Sequence, residues 1–431
     1  MTKQATTLIT KGKCAYLHLM EKTNYLLFLL AAASLAMPYA PMRIIWTAWL
    51  TTWFLEFRFV SKTNIRFDKK TIPCLLVGIY FVWQALSYCW ATEQVAAGKA
   101  LERQLTFVIL PFIALFGVNK NYNAKQIARW FVVGVFLTAI WYLSVCLLLD
   151  NYHNISQNKP YSELEFDSFI KGFYTYFNKI KHRFFFSTAA TLASVVLFFY
   201  FNDLKKKIGR LYSWIFTSVF FVATLSVVIL SGSRASIVTY LLLLFVLLCK
   251  YFIRKRNWVF VFISFFVFGY SLCMFYIYHP RMQNIHIDDV TNPTAFETDD
   301  EPRFAIWNST LKHIDEYIVT GKGVGNSIYF LSKKFEEDNY PAYFMERGFH
   351  SHNQYLETLI ESGILGLLLL LCTMFALVKY SEKRYRMLAL FIVSVFCINF
   401  LSDTVIRPLE GVILFSFSVI FLLILNREEK N

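Results

Sequence analysis

Residues 211–257 read LYSWIFTSVFFVATLSVVILSGSRASIVTYLLLLFVLLCKYFIRKRN. Two apolar runs, 211–230 and 235–253, are divided only by the turn SGSR at 231–234 and are closed by the basic cluster RKRN at 254–257. About 20 consecutive apolar residues let a helix cross the roughly 30 Å hydrocarbon core of a bilayer. A surface helix of a soluble protein would carry a polar face, and these runs carry none. The stretch therefore predicts a transmembrane helical hairpin with its basic end on one side of a membrane.

The same pattern extends in both directions. Candidate spans precede the hairpin at 25–40, 42–60, 72–90, 105–118, 130–149 and 184–201, and follow it at 258–278, 355–380, 387–401 and 412–425. The run 105–118 is short and contains Pro111, so it is expected to be tilted, kinked or re-entrant. Composition agrees: 56% of the 431 residues are hydrophobic and 17% charged, against about 45–50% and 25% in soluble domains. The expected fold class is an all-α polytopic membrane protein of about twelve transmembrane helices. No cleavable signal peptide is expected, because no short apolar run with a small-residue cleavage site opens the chain.

Alternate short connections are basic: SKTNIRFDKK (61–70), NKNYNAKQ (119–126), DLKKKIGR (203–210), RKRN (254–257) and SEKRYR (381–386). Lysine and arginine in short loops are retained inside, so both termini are expected in the cytoplasm. Two long segments then fall outside, 151–183 and 279–354. The expected organisation is helices 1–9 within 1–278, a large outer loop over 279–354, and helices 10–12 within 355–431. The outer loop 279–354 holds seven basic and twelve acidic residues, a net of −5, so the overall charge of +14 resides elsewhere. Nucleic-acid binding would need a basic stripe on an exposed domain, so the excess reads as topological. Eight cysteines, without a CxxC pair and with none in the outer loops, read as small buried apolar residues.

The polar residues of interest collect on the outer side. His350 and His352 form an HSH pair, but further ligands at a zinc-like spacing are not evident. After the pair, Asn353 leads into QYLETLIES, whose apolar residues at 355, 356, 359 and 360 follow a helical period, with Gly363 and Gly366 placed for close helix approach. His352 thus stands at the outer mouth of a membrane-entering helix, where an imidazole suits general-base work near neutral pH. A histidine bonded to a loop carbonyl is the plain alternative. Arg234 closes the hairpin turn, where it either binds an anion or snorkels to the headgroups. Arg303 follows Pro302 and opens RFAIWNSTLKHIDEYI, whose apolar positions 304, 307, 311, 314 and 318 predict an amphipathic helix lying on the membrane surface over the site. The GKGVGNS stretch (321–327) reads as a phosphate-cradling loop or a plain turn. Asp403 and Arg407 form a candidate ionisable pair before the last span, and Glu297 and Asp299 supply an E-x-D that could recruit a divalent cation or simply be solvated.

The run His352-Asn353, nine residues, then Gly363-Ile-Leu-Gly366 resembles the motif of the O-antigen ligase family, within the O-antigen ligase/polymerase superfamily of inner-membrane glycosyltransferases. Arg234 at an outer turn, Arg303 early in the long loop, and that loop's place between the ninth and tenth spans match as well. Topology carries the resemblance over most of the chain; specific motifs lie only in 231–236 and 303–366. The resemblance implies transfer of a finished polysaccharide from undecaprenyl diphosphate to the lipid A core at the periplasmic face of the inner membrane. It also implies a GT-C-like fold, no metal or other cofactor, and inversion of the anomeric centre. It makes His352 the catalytic residue, Arg234 and Arg303 the diphosphate ligands, and Asp403 an acidic site position. Arg407, His350 and Asn353 are possible supporting residues. An O-antigen polymerase, using the same donor, and a lipid-linked oligosaccharide flippase are the rival readings. A transporter would carry ionisable residues inside several spans and often two related halves; this chain gathers them at one mouth.

Overall fold

The computed structural model describes residues 2–59, 67–116, 122–156, 183–278 and 303–428. The E-x-D at Glu297 and Asp299, most of the loop 151–183 and the first part of the loop 279–354 lie outside the described residues. Every regular element among the described residues is helical. The helices are α1 (Thr2–Ser34), α2 (Tyr39–Phe59), α3 (Ile72–Ser87), α4 (Gln94–Gln104), α5 (Thr106–Phe116), α6 (Ala124–Ser156), α7 (Arg183–Ile208), α8 (Arg210–Leu230), α9 (Arg234–Arg254) and α10 (Trp258–Tyr278). After the gap come α11 (Arg303–Lys312), α12 (Ser327–Glu337), α13 (Tyr343–Arg347), α14 (Gln354–Lys379), α15 (Arg386–Ser402) and α16 (Leu409–Glu428).

All twelve apolar runs contain helix, but among the described residues eight helices, rather than twelve, are long and apolar enough to cross a membrane: α3 with its 3-10 extension, α6, α7, α8, α9, α10, α14 and α16. The other four fall short for separate reasons. Helix α5 has 11 residues, roughly 16 Å at about 1.5 Å per residue. Helix α15 has 17. In α1 the polar residues Glu21, Lys22 and Asn24 dilute the run, and the helix stops at Ser34 before Pro38. Helix α2 contains Arg43, Glu56 and Arg58. The chain is a polytopic helical membrane protein. Pro111 sits inside α5, packed where Gly78 of α3 leaves room for its ring.

Helix α16 is the axis of the bundle, buried continuously from Glu410 to Asn426. An aromatic core surrounds it, with Phe417 against Phe28 and Phe131, and Phe415 against Phe107 and Phe396. By contrast α10 leaves most of its apolar surface uncovered, including Phe262, Phe265 and Phe266. Such a helix is stable only with hydrocarbon around it. Polar ties close the basic end: Lys70 pairs with Glu382, Arg427 donates to the Ala114 carbonyl (2.6 Å), and Lys125 pairs with Asp203 (3.0 Å).

At the opposite end the start of α7 meets the end of α15 through Asn399 Nδ2 donating to Thr188 Oγ1 (3.3 Å). Helix α8 returns along α7, so the turn 231–233 and Arg234 at the start of α9 reach the same end, and α9 packs against α15. The loop helices α11–α13 form a small core of their own there, with Phe330, Phe335 and Phe344 joined to Leu359 and Ile360 of α14.

Candidate active site

The site is built around the entry to α14. Asn353 is the N-cap of that helix, extended at φ −151°, its side-chain oxygen accepting from the backbone N–H of Tyr355 (2.9 Å) and Leu356 (3.1 Å). Such a cap satisfies N–H groups that a helix start otherwise leaves orphaned. Asn353 Nδ2 also donates to the Leu401 carbonyl (3.3 Å), which ties the end of α15 to the start of α14. The chain therefore delivers Asp403, at the C-cap of α15, beside His352.

His352 lies at φ 47°, in the left-handed region, and is 9% exposed. Its Nδ1 lies 3.7 Å from Asp403 Oδ1, within ion-pair range but too long for a formed hydrogen bond. Its backbone N–H donates to His350 Nδ1 (3.1 Å), and the two rings lie 3.9 Å apart between centroids. His350 Nδ1 also faces the Thr404 hydroxyl at 3.3 Å. An acceptor at Nδ1 requires the neutral tautomer protonated at Nε2. Burial, and then the neighbouring His352 ring, push the His350 imidazole down to about 4, which keeps it in that form. Burial alone would raise the Asp403 carboxyl, but His352, His350 and Arg303 together hold it below the usual carboxylate range. Asp403 is thus an anion facing the histidine, and Arg303 at the start of α11 is close enough to act on it.

The loop that carries both histidines is anchored from below. Glu357, 1% exposed, accepts from Ser351 N–H (3.1 Å) and Ser351 Oγ (2.7 Å) at Oε2 and from Ser327 Oγ (2.5 Å) at Oε1, and Arg407 Nε lies 3.3 Å from Oε1. Trp307 Nε1 of α11 donates to the Ser351 carbonyl (2.8 Å). The expected pair is therefore split: Asp403 faces His352, whereas Arg407 pairs with Glu357. The reason is direction, since Asp403 ends α15 while Arg407 lies past Ile406, whose N–H is held by Gln354 Oε1 (2.9 Å).

The Arg303 helix and the glycine loop can now be placed. Phe304 and Leu311 of the apolar stripe turn outward, about half exposed, as expected of a helix lying on a membrane surface, while Ala305, Ile306, Ser309 and Thr310 are buried. The helix is shorter than its stripe predicted, ending at Lys312, and a 3-10 turn follows over Ile314–Glu316. Small residues on the inner face let Tyr340 OH reach the Ala305 carbonyl (3.2 Å) and Ser309 Oγ reach Asp338 (3.0 Å). The glycine loop, in turn, is already occupied. Gly325 N–H donates to Glu361 Oε1 (2.9 Å), and Lys322 and Gly323 N–H donate to the Ile360 and Glu361 carbonyls (2.7 and 2.9 Å). Gly323 is at φ 93°, and a Cβ there would lie 2.6 Å from Ala91 Cα. The loop cradles a helix, not an anion.

That docking explains the Gly363 motif. Gly363 has φ 66° and ψ −168°, a break inside α14. Carbonyls and an N–H released from the helix ladder find partners outside it: Ser362 O accepts from Trp83 Nε1 (2.8 Å), and Ile364 N–H donates to Ile318 O (2.7 Å). Broken helices persist at membrane depth only where freed backbone groups are satisfied in this way. Glu357 and Glu361 were missed by the sequence reading, although acids at i and i+4 in an apolar run were a visible signal.

The expectation of no metal site also meets a competing feature. His350, His352 and Asp403 offer ligand atoms within 4.8 Å of one another, so Asp403 supplies the third group that the HSH pair lacked. His313, Glu316 and Glu337 form a second such group, but Lys334 already bridges its carboxylates at 2.5 and 2.6 Å.

Bundle and cluster together define a polytopic helical membrane protein with a histidine–carboxylate–arginine site at one end. Residues 219–371 match the family model described as O-antigen ligase, which bears out the resemblance drawn from the His352 motif. The matched stretch contains Arg234, Arg303, His350, His352, Asn353, Gly363 and Gly366, and stops before Asp403. No curated protein matches the chain.

Proposed function

We propose that the protein is an O-antigen ligase, transferring O-antigen polysaccharide from undecaprenyl diphosphate to the lipid A core oligosaccharide. In this reading twelve helices sit in the inner membrane in a GT-C-like arrangement, the shorter α5 and α15 included. Both termini are cytoplasmic, and the 279–354 loop and site face the periplasm. The observation that carries it is the approach of His352 Nδ1 to Asp403 from a separate helix, beside Arg303. With Nδ1–H turned to an anion, Nε2 is the free base.

Nε2 takes the proton of the acceptor hydroxyl as that oxygen bonds to the anomeric carbon. The bond from that carbon to the phosphate oxygen breaks, inverting the centre, and the diphosphate leaves with the electron pair. Arg303 and Arg234, charged at every relevant pH, neutralise it. The reaction then needs no metal. A metal reading has one observation in its favour, the His350–His352–Asp403 trio. Against it, His350 Nδ1 already accepts the His352 N–H, and Asp403 Oδ1 accepts Thr404 N–H at 2.8 Å. Reconstitution of the purified protein with lipid-linked polysaccharide and lipid A core tests all of this. Capped core, made equally with and without a chelator, is the expected result. Longer lipid-linked glycan and unmodified core would mean a polymerase. Loss of activity in EDTA with rescue by a divalent cation would make the trio a metal site.

A further inference from the structure

At the basic end of the bundle, far from His352, helices α6, α7 and α8 leave a groove of about 250 Å³. Its walls are apolar, formed by Val132, Val133, Val196, Leu197 and Phe216, and its rim carries Lys125, Arg129, Asp203 and Lys207. A second hollow of about 210 Å³ shares Arg129, Val133 and Lys207 and adds Trp130 and Gln126. Lys125 and Asp203 neutralise each other at 3.0 Å. Half-buried Arg129 and exposed Lys207 pair with no acid among the described residues, so the rim has an excess of two positive charges above an apolar slot. Trp130 is 37% exposed beside it, a residue type enriched at the membrane–water boundary.

We infer that this groove binds an anionic glycerophospholipid of the leaflet on the basic side, the cytoplasmic one in the orientation proposed above. Arg129 and Lys207 hold the head-group phosphate, and an acyl chain fills the slot between α6, α7 and α8. Both halves of the site are needed to explain the groove: a soluble anion has no use for the apolar walls, and a neutral lipid has none for two unpaired cations. Basic pockets between membrane helices recognise anionic head groups through this combination. The inference does not depend on the transfer reaction.

Lipid binding to the delipidated full-length protein in detergent, measured by native mass spectrometry, tests it. Phosphatidylglycerol and phosphatidylcholine with identical acyl chains are the probes. Wild type is expected to bind phosphatidylglycerol at least about tenfold more tightly. The double variant Arg129→Gln/Lys207→Gln should weaken phosphatidylglycerol roughly thirtyfold, from two basic contacts, and weaken phosphatidylcholine, whose phosphate is already balanced by its own choline, far less. Lys206→Gln, on the same exposed turn but outside the groove, should alter binding little. If the double variant does not purify, the exposed Lys207→Gln alone should lose about fivefold. Equal binding of the two lipids, or an equal effect of Lys206→Gln, overturns the inference. So does competition by free glycerophosphoglycerol as effective as by the whole lipid, which would make this a soluble-anion site.

Discussion

His352 occupies a left-handed backbone conformation that side-chain-bearing residues adopt rarely, and such strain persists where the surroundings over-determine it. Here Asn353 caps the next helix, Glu357 grips Ser351, and His350 accepts the His352 N–H. The ring is thereby aimed at Asp403. His352→Ala should abolish glycan transfer, by at least about 10²–10⁴-fold, while the protein still inserts and folds. Asp403→Asn should fall between that variant and wild type, since its carboxylate acts through the ring. Near-normal turnover by well-folded His352→Ala protein would remove the histidine from the mechanism. His350 makes a separate prediction. Its imidazole is held near 4 against an ordinary value of about 6.5, so between those values the unfolded chain binds a proton that the folded one refuses. Stability must then rise with pH across that window and fall as pH drops from about 6.5 towards 4. Asp403, shifted downward, responds only below this range. Thermal unfolding of purified protein should show the loss between pH 7 and pH 4.5, and His350→Gln should show a smaller one. Equal losses would mean that His350 is not the neutral acceptor.

Much at the scale of the element was legible, and what was not had a physical reason. The apolar runs located each long helix because lipid-facing and core-facing residues are both apolar, and His352–Asn353 marked a helix entry that proved to be an N-cap. The same insensitivity hid the end of α11: the apolar period runs on to Ile314 and Ile318, but the helix stops at Lys312. Gly363 was read as a packing residue, yet it breaks α14 so that 318–323 can dock on the broken ladder. A Cβ at Gly363 would run into the Val319 carbonyl. Gly363→Ala should therefore destabilise by at least about 1–3 kcal/mol. Gly98→Ala is the control: it lies in exposed α4 with nothing within 4 Å of an added Cβ, and higher helix propensity should raise stability by up to about 1 kcal/mol. Thermal melts that reversed this order would contradict the break.

For the whole molecule, the end of the bundle on which the site stands follows from contacts rather than from the motif. Cys89 is exposed in the 3-10 turn after α3. That turn touches the site's supporting loop: Val324 N–H donates to Ser87 Oγ (2.9 Å), and Glu93 N–H to Asn326 Oδ1 (2.7 Å). The same loop is bonded to α14 below His352, so Cys89 and His352 share one face of the bundle. Lys206 lies at the other end of α7, whose start is tied to the His352 side through Thr188. In the orientation proposed above the lysine end is inside. A membrane-impermeant maleimide should therefore label Cys89 in cells whose outer membrane alone is opened. The label lost on Cys89→Ala is the one that reports Cys89. A cysteine introduced by Lys206→Cys in that background should react only after the inner membrane is broken. The opposite pattern would place His352 in the cytoplasm, away from any periplasmic acceptor, and the ligase reading would fail whatever the chemistry of the site.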